Sequence, residues 1–143
     1  MARPDDESIA DSTLLLRVLR VQGWWMVESD GHLRATSLAF VDGYTGETSC
    51  HFDTLSARIL TTRRFPRCPV ARFKAGQARS HGFNVTRDPE GDPEGAIDHV
   101  VLTFAEEGAR RKVYQGACKK LALDSEVIES SDLELGIVQA PMD

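Results

Sequence analysis

The run IDHVVLTF at residues 97–104 constrains this chain more than any other stretch. It follows DPEG written twice at 88–95, a loop by turn chemistry, and it concentrates β-branched and apolar residues between clean boundaries. The pattern predicts a central strand with Val100 and Leu102 buried. Such a strand needs partners, and shorter strand-like runs supply them. TLLLRVLRV at 13–21 ends at Gly23 and also suits a short helix; TSLAFV at 36–41 and VARFK at 70–74 after Pro69 follow, then FNVT at 83–86. ETSCHF at 47–52 alternates, placing Cys50 and Phe52 on one side and Ser49 and His51 on the other. Turn signals lie at Glu28-Ser-Asp-Gly31, read as a hairpin or loop, and at Asp42-Gly-Tyr-Thr-Gly46.

Helical patterns fall between the strands. Asp53 or Thr54 caps a segment through Leu55, Ala57, Ile59 and Leu60 that ends before Pro66. Ala75 to Ser80 is a short helix stopped by Gly82. The main helix is expected over 106–123, with Ala109, Val113, Ala117 and Leu121 at four-residue spacing on one face. The sum is an α+β fold, a mainly antiparallel sheet covered by one long helix and one or two short ones. At 143 residues it is expected to be a single domain, large enough to hold a core without disulfides.

Charge divides the chain into an acidic segment 1–11, a central domain 12–123 and an acidic segment 124–143. The net charge of −5 arises from −3 in the first, +4 in the centre and −6 in the last. Within 54–87 stand Arg58, Arg63, Arg64, Arg67, Arg72, Lys74, Arg79 and Arg87 with no carboxylate. Either an external polyanion meets these arginines or the acidic ends fold back on them. Residues 133–138, LELGIV, place Leu133, Leu135 and Ile137 on alternate positions, a strand pattern inside the acidic end. Such a strand would dock on the chain's own sheet or on a partner's, with Glu129 and Asp132 near arginines.

Motifs exclude more than they assign. The acidic start opposes the basic region of a signal peptide, no apolar run spans a membrane, and three scattered cysteines without CxxC fit a reducing cytoplasm. Phosphate loops, GxSxG and zinc-ligand spacing are missing, so no cofactor and no metal are expected. Asp98-His99 reads as an ordinary strand dipeptide, with His99 a satisfied, part-buried histidine. Of the adjacent Trp24 and Trp25, one faces the core and the other covers an edge or a partner.

Two resemblances add to this reading. Arg17 on the first strand, a Ser/Thr pair at Thr36-Ser37 or Thr48-Ser49, and Asp132 with Glu134 loosely resemble the Arg–Ser–Glu order of ADP-ribosyltransferases and RES-type domains. That resemblance implies an arginine on a nicotinamide-cofactor phosphate and a glutamate stabilising an oxocarbenium-like ribose. The order LLLRVLR, LRATSLAFVDG, RFPRCPVARFKAGQARSHGFNV and DPEGDPEGAIDHVVLT, over about 14–103, resembles a set of small uncharacterised bacterial proteins. It implies a bacterial accessory module, of the kind found in conflict or multi-gene systems, and brings no functional residues with it.

The leading expectation is a non-enzymatic, cytoplasmic binding module that serves as one subunit of a protein assembly. Its contact surface would draw on Arg58, Arg63, Arg64, Arg67, Arg72, Arg79, Trp24 and Trp25. Nucleic-acid contact through the same arginines and an NAD-using transferase are the alternatives.

Overall fold

A computed structural model describes residues 2–41, 46–92 and 97–139. The elements run β1 (Leu14–Val18), β2 (Trp25–Val27), β3 (Leu33–Ala35), a 3-10 turn (Ser37–Ala39), β4 (Glu47–Phe52), α1 (Leu55–Arg64), β5 (Val70–Lys74) and α2 (Ala75–Ser80). They continue through β6 (Phe83–Arg87), a second 3-10 turn (Pro89–Gly91), β7 (His99–Phe104), α3 (Arg111–Asp124), β8 (Glu126–Ile128) and α4 (Ser130–Gln139). Six strands form one antiparallel sheet in the order β6-β7-β4-β1-β5-β8, and β2 and β3 form a separate hairpin. The fold is α+β in a single domain, as expected, with four α-helices beside the sheet among the described residues.

β7 holds the interior position the sequence predicted. It pairs with β4 through Ser49 opposite Val101 and with β6 through Val85 opposite Leu102, and Val100 and Leu102 are fully buried. Strand alternation sends Leu15, Cys50, Phe73 and Leu102 to one face. There α2 and α3 close the main core with Ala78, Cys118 and Leu121, and Phe40 meets Phe73 edge to face at 5.5 Å. On the opposite face Leu16 and Val70 pack against Leu133 of α4, with Val18 and Ile128 beside them. That face also carries Ser49, His51 and His99, with Val101 buried between the strands.

Local chemistry explains the boundaries. The Thr54 hydroxyl accepts from the Ala57 N–H at 3.0 Å, capping α1, and donates to the Asp98 carboxylate at 2.9 Å. Pro66 ends that helix, and Arg67 follows at φ +70°. Gly82 takes φ +95°, and a Cβ there would stand 3.0 Å from the Phe104 ring, so the α2–β6 turn requires glycine.

Four expectations need correction. The 133–138 segment is helical, within α4, not a strand. Leu133 and Ile137 are four apart as well as alternate, so one apolar stripe serves either geometry, and the Leu133 N–H bonds to the Glu129 carbonyl in helical fashion. Leu133 docks internally, and Glu126 rather than Glu129 or Asp132 meets an arginine, Arg72. The 36–41 run is a 3-10 turn because its carbonyls serve side chains: Ala39 O accepts from Arg17 Nε, and Phe40 O from Thr48, Tyr114 and Cys118. α3 begins at Arg111, after Gly108 turns the chain at φ +72°. Its buried stripe is Ala117, Cys118, Leu121 and Ala122, while Val113 is exposed.

The Glu28–Gly31 turn does join β2 to β3, with the Glu28 N–H bonded to the His32 carbonyl. The expected turn at 42–46 and the second DPEG lie, except for Gly46 and Asp92, outside the described residues. Among the described residues no helix is long and apolar enough to cross a membrane.

Candidate active site

The polar half of the second face begins where β1 and β4 part. Their register pairs Leu15 with Phe52 and Leu16 with His51 and then stops, although both strands continue. Arg17, 4% exposed, bridges the gap: its Nη1 donates to the Ser49 carbonyl at 2.9 Å and its Nε to the Ala39 carbonyl at 2.9 Å. A buried guanidinium satisfied by fixed carbonyls is a rigid group.

Beside it lies a cavity of about 370 Å³ lined by Arg17, Val18, Arg20, Ser49, His51, Arg64, Phe65, Gly91, Asp92 and His99. That volume suits a small molecule. Three strands supply the floor, the end of α1 contributes Arg64 and Phe65, and the 3-10 turn after β6 contributes Gly91 and the neighbouring Asp92.

Ser49 and His99 form the central contact. They sit on neighbouring strands on the same face, one register step apart, and Ser49 Oγ lies 2.5 Å from His99 Nε2. His99 Nδ1 is 2.7 Å from the Asp88 carbonyl oxygen, which only accepts, so Nδ1 carries the proton. With Nδ1 as the donor, the neutral form of the ring presents its Nε2 lone pair to the Ser49 hydroxyl, which donates to it. The Asp88 carboxylate stands 3.4 Å from the same Nδ1. His99 is 5% exposed, whereas Ser49 is open to solvent.

A second histidine abuts the first. The His51 and His99 rings are 5.3 Å apart. His51 Nε2 is 3.1 Å from the Asp92 carboxylate, which also receives the Arg64 fork at 3.0 and 2.8 Å. Burial pushes the His51 pKa below its ordinary value; Asp92 opposes that, and the neighbouring His99 and Arg64 reinforce it. Neutral His51 consequently donates Nε2–H to Asp92 and keeps its Nδ1 lone pair.

The N-terminal segment straps this region from outside. Arg3 Nε donates to Glu47 at 2.8 Å and Arg3 Nη1 to Asp88 at 2.9 Å, joining the strand that carries Ser49 to the residue that orients His99. The Asn84 side chain donates to the Arg3 carbonyl at 2.9 Å.

Most of the arginines expected at a contact surface are engaged within the chain. Arg58 forks onto Asp53, Arg72 bridges Asp53 and Glu126, and Arg79 takes Asp5, Asp11 and the Asp6 and Ile9 carbonyls. The acidic N-terminus thus folds back on the basic stretch. Arg63 and Arg67 are exposed and make no ion pair with the described residues. Trp24 and Trp25 both pack on the main core, where one was expected to face away, and Trp24 also lies against Arg17 and Arg20, 4.6 and 5.3 Å from its ring centroid.

Of the set suggested by the ADP-ribosyltransferase resemblance, Arg17 and Ser49 come together in the cavity. Glu134 is exposed on α4 and Asp132 precedes it there; neither lines the cavity. Sequence reasoning did not bring His51 and Asp92 to this cavity; it read His99 as a satisfied, part-buried histidine, and both ring nitrogens of that 5%-exposed residue do have partners. The alternation that put Ser49 and His51 on one face was the available signal.

No family model matches the chain, and no curated protein and no solved structure matches it.

Proposed function

We propose that the protein is a hydrolase of small esters that uses Ser49 as nucleophile and His99 as general base. The carrying observation is the 2.5 Å contact from Ser49 Oγ to His99 Nε2, with the tautomer fixed by the Asp88 carbonyl. A nucleophile, a base within hydrogen-bond reach and a group orienting the base are what covalent acyl transfer needs. Ser49 Oγ bonds to the ester carbon as its proton passes to His99 Nε2. The ester's C–O bond then breaks, and the leaving oxygen takes that proton from Nε2. Water, deprotonated by the same nitrogen, attacks the acyl carbon; the bond from that carbon to Ser49 Oγ then breaks, and Oγ takes the proton back from Nε2. Arg17, which lines the same cavity with its Nη1 on the Ser49 carbonyl, would be the cation that stabilises the oxyanion.

Reaction with a fluorophosphonate followed by intact-mass measurement tests this reading. One adduct, located at Ser49 and lost in Ser49→Ala and His99→Ala, is expected; an unmodified wild-type protein overturns it. Cleavage of NAD dependent on Arg17 and Ser49 would move the assignment to the transferase reading. The partner-subunit expectation loses one of its supports, the tail strand, because that segment is a helix with Leu133 packed on the chain's own sheet.

A further inference from the structure

We infer that the cavity takes a molecule bearing an oxyanion group, carboxylate or phosphate, and that Arg20 reads that group. That this molecule is a substrate rests on the hydrolase reading; its binding at Arg20 does not. Three arginines line the cavity, and they are engaged differently. The Arg64 fork lies on the Asp92 carboxylate, and Arg17 Nε and Nη1 lie on backbone carbonyls. Arg20 is exposed at the cavity and makes no ion pair with the described residues.

Local structure holds Arg20 in place. Leu19 is buried and its N–H bonds to the Pro69 carbonyl, which fixes the chain just past β1. The Trp24 N–H bonds to the Val21 carbonyl across a turn in which Gly23 takes φ +97°. That turn brings the indole back against Arg20, whose Cζ is 5.3 Å from the ring centroid. A guanidinium held over an aromatic ring is attracted through its charge and keeps N–H groups free to donate to an oxyanion. A planar fork that is already oriented loses less freedom on meeting an oxyanion, and it meets carboxylate or phosphate oxygens in pairs. The molecule that fits therefore presents its reacting carbon to Ser49 and a small anionic group to Arg20, within about 370 Å³.

Calorimetry and tryptophan fluorescence on Ser49→Ala protein, which cannot turn over, test the inference with benzoate, phenyl phosphate and neutral benzamide. An oxyanion probe is expected to bind about tenfold or more tighter than benzamide, as charge-assisted hydrogen bonds warrant. Whether benzoate or phenyl phosphate is the tighter identifies the oxyanion. The preference is expected to weaken with salt and to collapse toward unity in Arg20→Ala, with Arg20→Lys between. Equal binding of benzoate, phenyl phosphate and benzamide, no saturable binding of either anion, or an undiminished preference in Arg20→Ala overturns it. Absence of a Ser49 adduct would overturn the hydrolase reading and leave this binding result standing.

Discussion

The two faces of the sheet are made by the same strands and solve different problems. On the face closed by α2 and α3, strand residues are apolar and fully buried, and their work is packing. On the other face Leu16, Val70 and Leu133 make a small apolar cluster, and next to it Ser49, His51 and His99 occupy positions that packing alone would fill with Val or Leu. Buried polar groups cost free energy unless each has a partner, and here the carbonyls of Asp88, Ala39 and Ser49 and the carboxylate of Asp92 provide partners. A face that meets this cost and still leaves a serine open to solvent is the basis of the hydrolase proposal. The first face supplies the rigidity that holds it.

If that division is right, changes on the two faces have separable consequences. The largest expected effect is on rate: His99→Ala should lower fluorophosphonate labelling and ester turnover by about 10²–10⁴-fold, the usual reach of a positioned base. The apolar face should behave oppositely. Leu102→Ala leaves a cavity in the main core and should cost about 2–5 kcal/mol in denaturant unfolding, while Ser49 in the remaining folded protein labels at the wild-type rate. Loss of labelling in folded Leu102→Ala protein, at a denaturant concentration well below its midpoint, would show that the faces are not separable.

His51 sharpens the comparison through pH. Its folded pKa lies below the unfolded value of about 6.5, chiefly because burial disfavours the charged ring. The unfolded chain therefore binds a proton more readily. This residue's contribution is fully present above the unfolded value and is lost as pH falls through the folded one. One proton sets a slope of at most about 1.4 kcal/mol per pH unit in that window. His51→Gln should flatten the acid limb of the stability profile, as read by urea midpoints between pH 7 and 4. An unchanged limb would place the acid sensitivity elsewhere.

Local signals made the apolar face legible and left the polar one half-read. The β7 run, the Thr54 cap and the Gly82 stop are each decided within a few residues, so their periods and turn chemistry were sufficient. The α4 segment was misread because ten residues with apolar side chains both alternate and four apart do not separate strand from helix. Alternation did place Ser49 beside His51, but the register that sets Ser49 across from Val101, within reach of His99, is a long-range fact. Asp92 and Arg64 lie 28 positions apart, and nothing in either neighbourhood points to the other.

The smallest expected effect on stability belongs to Arg3, and it separates holding from orienting. Its side chain is 35% exposed and its partners Glu47 and Asp88 are 36% and 14% exposed, so screening leaves the ion pairs about 0–1 kcal/mol. The strap does not depend on them alone, because the Arg3 N–H donates to Thr103 Oγ1 at 3.1 Å and its carbonyl accepts from Asn84. Arg3→Ala should therefore barely move the unfolding midpoint. It does, however, cut the link between β4, which carries Ser49, and Asp88, whose carbonyl fixes the His99 proton. The His99 Nδ1–H signal in proton NMR should exchange faster with solvent, and labelling at Ser49 should slow severalfold. Arg3→Lys retains charge without the two-pronged reach and should fall between. Unchanged exchange and labelling in Arg3→Ala would mean that the sheet alone orients His99, and that the N-terminal strap merely rests on the polar face.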